Sequence, residues 1–332
     1  LLRIVILFFP LNAVSGVFET DEYNAQWGLG AVNAAGAYAK GYTGAGVTIG
    51  VVDTGLATDH QEISGKYAFG YDFVNDTNTP LSDAGQHGTH VSGVAAAVRD
   101  GVGMHGVAYD AKVAVGKVLG ASLSWDAGFD GNFEAINYLA DGGARVINNS
   151  WGPGSSGRIT NKPHWVPTGY TRDYFESNKS GAIAQARMAV TKNALLLFAA
   201  GNSGQSGGID PGYNAALPYV FPEFEDPWLV VAATDDQNTI TSWSSRCGVA
   251  KNYCLVAPGN GIKSADANGG YITYSGTSSA TPMVSGVAAL VAEAFPYLTA
   301  KQIKQILLTT ATDLGDPGVD SIYGWGLVNA EA

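Results

Sequence analysis

From about residue 46 onward, apolar residues fall into short runs separated by helix-like segments. Residues 47–52 form a largely apolar run ending at Asp53, the pattern of a strand buried on both faces. Residues 113–118, 146–149, 195–200 and 229–233 read as further strands. Between and after them lie 91–98, 133–140, 182–192, 279–294 and 301–309, whose composition and periodicity predict helices. Strands alternating with helices predict an α/β fold with a mostly parallel sheet covered on both faces. No internal repeat and no Pro/Ser linker divides the chain, so residues 20–332 are expected to form a single domain. Residues 152–180 break the rhythm with Pro153, Pro163 and Pro167 and the aromatics Trp165, Tyr170, Tyr174 and Phe175. They are expected to form a surface loop insertion with its own aromatic anchors.

Composition narrows the class. Charged residues make up 14% of the 332, well below the usual quarter or so, and 44 are glycine. Sparse charge argues against disorder and against a coiled coil. The net charge of −11, with no Lys/Arg cluster, argues against a nucleic-acid partner. No apolar run reaches the ~18 residues needed to cross a bilayer. At the start, Arg3, the apolar residues 4–11 and Ala13-Val14-Ser15 read as the remnant of a signal or leader segment over 1–19, with an apolar N-terminal strand as the alternative. The two cysteines, Cys247 and Cys254, read as a disulfide in an exported protein or as two free thiols in a cytosolic one. With no histidine beside them in sequence, they make a poor zinc site.

Three segments put reactive side chains where a parallel sheet gathers its ligands, beyond the carboxyl ends of strands. VVDTG (51–55) ends a buried strand with Asp53. HGTHVSG (87–93) opens a helix with His87, and GTSSATP (276–282) opens another with Ser278. Carboxylate, imidazole and hydroxyl are the parts needed to activate a serine. Taken singly, each has an ordinary structural reading as a turn former, a helix opener or a cap. Their joint appearance in the order Asp, His, Ser gives them weight, since that order marks one class of serine hydrolase.

With AAGNSG (199–204) and NSWG (149–152), these motifs resemble the subtilisin-like serine proteases from about residue 41 to residue 329. NNSWG, the long segment after it, and RCGVAKNYC (246–254) before LVAPG are most similar to the autotransporter subtilases of Gram-negative bacteria. The resemblance implies a subtilisin-like three-layer fold. It makes Asp53 the residue that orients the imidazole, His87 the general base and then acid, and Ser278 the nucleophile. Asn202 matches the oxyanion-hole amide, paired with the Ser278 backbone N–H. Ser150, Trp151 and Gly152 match the edge segment on which substrate lies. The walls of the first specificity pocket are expected from 150–153, 199–203 and the turn near Ala216. His90 matches a structural histidine, and Ser279 stands where the family often has methionine.

No cofactor is required by this reading, and no metal ligand is assigned. Structural calcium near residues 97–107 would draw on Asp100 and Glu62, but an N-terminal ligand is not recognisable. The function implied is that of a secreted or cell-surface serine endopeptidase, with the Gram-negative outer membrane as one location. Its partners would be peptide or protein substrates, its expected state a monomer, and any membrane attachment would lie outside this sequence. Two readings from other classes stand beside it. One is a catalytically silent surface binding or adhesion module on the same scaffold. The other is a metallohydrolase using His87 and His90, for which no third ligand of matching spacing is evident; His60, His105 and His164 sit in turn-like contexts.

Overall fold

The computed structural model of the chain describes residues 16–121, 127–152, 170–206 and 209–332. Seven strands form one sheet: β1 Thr48–Asp53, β2 Tyr67–Asp72, β3 Lys112–Lys117, β4 Val146–Asn149, β5 Leu195–Ala199, β6 Trp228–Thr234 and β7 Cys254–Pro258. Their order is β2-β3-β1-β4-β5-β6-β7, and every pairing is parallel. A separate antiparallel hairpin pairs β8 Ile262–Ala265 with β9 Tyr271–Tyr274.

Alternation along the strands explains the layers. Ile49, Val51, Leu195, Leu197, Leu229 and Val231 point into one apolar cluster, while Val52, Leu196, Phe198, Trp228 and Val230 point into another on the opposite face. The first face is covered by α1 His87–Ala96, α5 Thr277–Ala294 and α6 Ala300–Thr309. The second is covered by α2 Gly128–Asp141, α3 Arg172–Asn178 and α4 Ser180–Ala189. A parallel sheet needs helices on both faces because its strands are apolar on both, and this arrangement is the three-layer α/β fold expected. Helix α5 carries Ala, Val, Gly and Leu nearly all round, and almost all its residues are buried.

The ten predicted segments match observed elements to within a few residues. The pattern missed the β8–β9 hairpin, and it missed β2 and β7 for identifiable reasons. β2 lies at a sheet edge and alternates buried with half-exposed residues instead of forming an apolar run. β7, at the other edge, has only Leu255-Val256-Ala257 between a cysteine and a proline. The expected loop over 152–180 needs correction: 172–178 is helical, capped by the Thr171 hydroxyl accepting the Tyr174 N–H, and Phe175 is buried in the core. The aromatic anchoring is present, with Tyr170, Tyr174 and Phe175 in mutual ring contact. Pro153, Pro163, His164, Trp165 and Pro167 lie outside the described residues, as do the apolar run 4–11 and the Ala13-Val14-Ser15 triplet. Packing begins before residue 20, since Phe18 lies against Tyr38 with ring centroids 5.8 Å apart.

Candidate active site

The sheet order places β1 beside both β3 and β4, so the chain leaves this point in opposite directions, the place beyond the carboxyl ends where such sheets gather their ligands. Asp53 closes β1, Ser150 follows β4, and Asn202 follows β5, so three of the predicted residues converge there by topology alone.

Asp53 is fully buried. Its Oδ1 accepts the Thr54 backbone N–H at 2.8 Å and faces His87 Nδ1 at 2.8 Å, with Oδ2 at 3.0 Å from the same nitrogen. A carboxylate on that side puts the proton on Nδ1 and leaves Nε2 with its lone pair. Burial alone would lower the His87 pKa. The Asp53 charge and hydrogen bond, joined by the Asp83 charge, outweigh it and raise the imidazole above the ordinary histidine value. His87 is the first residue of α1, and the helix has no side-chain cap at its own N-cap, Gln86. Its first-turn donors are met from outside: Thr54 Oγ1 accepts the Gly88 N–H at 2.8 Å, and Asp83 Oδ2 accepts the Thr89 N–H at 2.7 Å.

Ser278 stands in the first turn of α5 and is partly exposed. The Asn202 carboxamide oxygen accepts the Thr277 N–H at 2.9 Å and the Thr277 hydroxyl at 3.1 Å. With the oxygen so held, the amide NH2 must face the other way. A Cβ built on Gly276 would lie 2.7 Å from Ser278 Oγ and 3.4 Å from Asn202 Nδ2, so hydroxyl and amide border the same small space, kept open by a glycine. The backbone N–H of Thr277 is taken by Asn202, and those of Ser279 and Ala280 by the Gly276 carbonyl. Among the described residues the Ser278 N–H has no acceptor, as an anion-binding helix terminus requires. The turn is locked from below. Pro282 has no N–H to offer the Ser278 carbonyl one helical turn back. That carbonyl instead accepts the Ser150 hydroxyl at 2.8 Å, which in turn accepts Asn148 Nδ2 at 2.9 Å.

Of Ser150, Trp151 and Gly152, Ser150 touches Ser278 directly, through the hydrogen bond just described. The Trp151 ring is buried against Phe133 and Phe198, so only the backbone of this segment is placed to meet a peptide. Asn214 Nδ2 donates to the Trp151 carbonyl at 3.0 Å, joining the segment to the buried turn Ala215-Ala216 named for the specificity pocket. His90 is committed elsewhere. Its Nε2 donates to the Ile262 carbonyl at 3.0 Å and its ring lies over Tyr274 at 4.6 Å, an arrangement without a ligand position shared with His87. Burial lowers its pKa to about 4. His105, expected in a turn-like context, is fully buried among Tyr23, Tyr38 and Tyr109, and burial lowers it likewise to about 4. His60 caps a short 3-10 turn by accepting the Glu62 N–H at 3.1 Å. Ser279 is buried in the helix.

Cys247 and Cys254 are joined as a disulfide, both fully buried in the second cluster. Closing so small a loop contributes ~2.5 kcal/mol on the chain-entropy estimate. Of the residues suggested for calcium, each has one carboxylate oxygen engaged, while Glu62 Oε2 is buried without a partner among the described residues. Glu62 Oε1 accepts the Tyr271 hydroxyl at 2.6 Å, and burial, though opposed by that bond, holds the carboxyl above its usual pKa. Asp100 Oδ1 accepts the Val102 N–H at 3.0 Å, while the Asp100 and Gly101 N–H groups bind the Glu22 carboxylate at 2.9 and 3.0 Å. A segment that turns N–H donors toward a carboxylate does not fit a cation that needs six to eight oxygens. Thr54, Asp83, Asn148 and Asn214 escaped the sequence reading. Asp83 carried one usable signal, an acidic residue just upstream of a helix that lacks its own cap.

The pattern of the Subtilase family matches residues 44–326. An extracellular serine protease of Serratia marcescens is 37% identical over 94% of this chain and 34% of its own length; a second from the same organism is 36% identical over the same shares. The chain thus spans about a third of the length of these relatives. Subtilisin DY of Bacillus licheniformis is 33% identical over 92% of the chain and 97% of its own length. Among solved structures, a cold adapted subtilisin-like serine proteinase superimposes with a TM-score of 0.65 at 28% identity, covering 87% of this chain and 88% of that one.

Proposed function

This chain belongs to the subtilase family, and from that premise we propose that it is an exported serine endopeptidase acting through Asp53, His87 and Ser278. His87 Nε2 takes the proton from Ser278 Oγ as the oxygen attacks a peptide carbonyl. Asp53 holds the ring and stabilises the imidazolium so formed. The tetrahedral oxyanion accepts hydrogen bonds from Asn202 Nδ2 and the Ser278 N–H. His87 then protonates the leaving amine, and water hydrolyses the acyl-enzyme by the same route. Substrate lies extended along the backbone of Ser150, Trp151 and Gly152, adding as a strand. Small residues around Ala215 and Ala216 leave room for a large apolar side chain at the first specificity position.

The observation that carries the reading is the 2.8 Å contact of His87 Nδ1 with buried Asp53, together with Ser278 Oγ and Asn202 Nδ2 meeting at Gly276. A silent binding module has no need of all four groups. Export is supported by the extracellular description of the Serratia marcescens relatives and by the disulfide, which suits an oxidising compartment. We further propose that the fold is calcium-independent in the 97–107 segment. The test is casein digestion by purified wild-type chain and by Ser278→Ala, with circular dichroism to verify folding. Digestion by the wild type alone supports the proposal; equal digestion by both refutes the assignment of Ser278.

A further inference from the structure

Behind the Asp53–His87 pair lies a second buried carboxylate. Asp83 is 8% exposed. Its Oδ1 accepts the Thr54 hydroxyl at 2.6 Å and its Oδ2 accepts the Thr89 N–H at 2.7 Å. The Thr54 oxygen also accepts the Gly88 N–H at 2.8 Å, and a Cβ on Gly88 would lie 2.3 Å from the Gly55 carbonyl. One carboxylate thus ties the end of β1, immediately after Asp53, to the two residues that follow His87 in α1. It replaces the side-chain cap the helix lacks.

We propose that Asp83 is a positioning residue for the hydrolytic reaction, clamping strand end to helix start and setting, by its negative charge, the pH at which His87 becomes a competent base. This rests on the serine-protease reading above. The charges around His87 leave Asp83 uncompensated. Asp53 on β1 is the direct partner. His90 on α1 is buried, its pKa lowered, and Tyr274 on β9 lies over it. Asp266, in the turn of the hairpin, acts on His90. Lys117 on β3 is the nearby cation, but its ammonium is bound to Asp72 at 3.3 Å and to the Ser82 hydroxyl at 3.2 Å. Among the described residues no cationic side chain is paired with Asp83. Its charge therefore acts on the imidazolium together with that of Asp53, in the direction that keeps His87 protonated.

The experiment is the second-order rate of fluorophosphonate labelling of the full chain, followed from acid to neutral pH. In Asp83→Asn the acid inflection should move to lower pH by about half a unit or more, because an anion that favoured imidazolium is gone. In Asp83→Glu and in Thr54→Val both charges remain while the clamp is displaced or cut. Their plateau rate should fall while the inflection stays at the wild-type pH. An inflection unmoved in folded Asp83→Asn, or moved as far in Asp83→Glu, overturns the proposal. Should Asp83→Asn fail to accumulate, the other two variants decide: a lowered plateau with an unmoved inflection supports the clamp, and an unchanged plateau in both overturns it. A wild-type chain that takes no label sinks the hydrolytic reading and this proposal with it, whereas a labelled wild type beside an unmoved Asp83→Asn sinks this proposal alone.

Discussion

The Asn202 carboxamide offers one acceptor and one NH2, and Thr277 uses the acceptor twice. The remaining donor is thereby aimed before any substrate arrives, which is the condition under which a hydrogen bond favours a developing charge without reorganisation. Replacing Asn202 by Leu should lower kcat by about 10²–10³ with little change in KM, a magnitude that comes from a member of the same family rather than from this chain. Steady-state kinetics on a chromogenic peptide would show it; a matching rise in KM with kcat intact would assign Asn202 to substrate binding instead. The histidines give a pH prediction whose sign differs by residue. His87 is raised, so its stabilising contribution is present at low pH and is lost as pH rises through its folded value. His90 and His105 are lowered to about 4, so theirs is present above the unfolded value of ~6.5 and is lost as pH falls toward 4, each worth about 3 kcal/mol. Two against one, stability should decline on acidification through that window. Urea unfolding should show the decline, and His105→Phe should flatten it; an unchanged slope in that variant would contradict the assignment. At this scale Asp53, His87, Ser278 and Asn202 were legible because motif order names them. Asp83 and Thr54 were not, because their roles exist only once β1 and α1 are side by side.

Helix α5 shows what elements add to residues. A proline within its first turns would ordinarily cost the helix a bond. Here the freed Ser278 carbonyl is taken by Ser150, so the end of β4 and the start of α5 are stitched at Ser278. Ser150→Ala should leave that carbonyl unsatisfied and cost about 1–3 kcal/mol, seen as a lowered denaturant midpoint, together with slower labelling of Ser278. A variant of wild-type stability and labelling rate would show the stitch to be idle. Elements with strong signals were readable from the chain, as the buried runs of β1, β5 and β6 illustrate. Those whose burial depends on a neighbour were not: β7 is paired by β6 on one side and by the Leu327 segment on the other, and α3 lies within a segment whose prolines suggested a loop.

Across the whole molecule, one parallel sheet carries a packed cluster on each face, and the proposed calcium independence of 97–107 can be tested at this scale. Chelation of divalent cations should leave the thermal midpoint unchanged; a drop restored by calcium would show that the site forms from other oxygens. In the proposed mechanism a proton passes among groups carried by β1, α1 and α5 beside one preset amide. Mass mapping of the fluorophosphonate adduct tests it most directly. The prediction is a single adduct on Ser278 in the wild type, absent in Ser278→Ala and strongly reduced in His87→Ala. An adduct on a different serine, or undiminished labelling without His87, would contradict it.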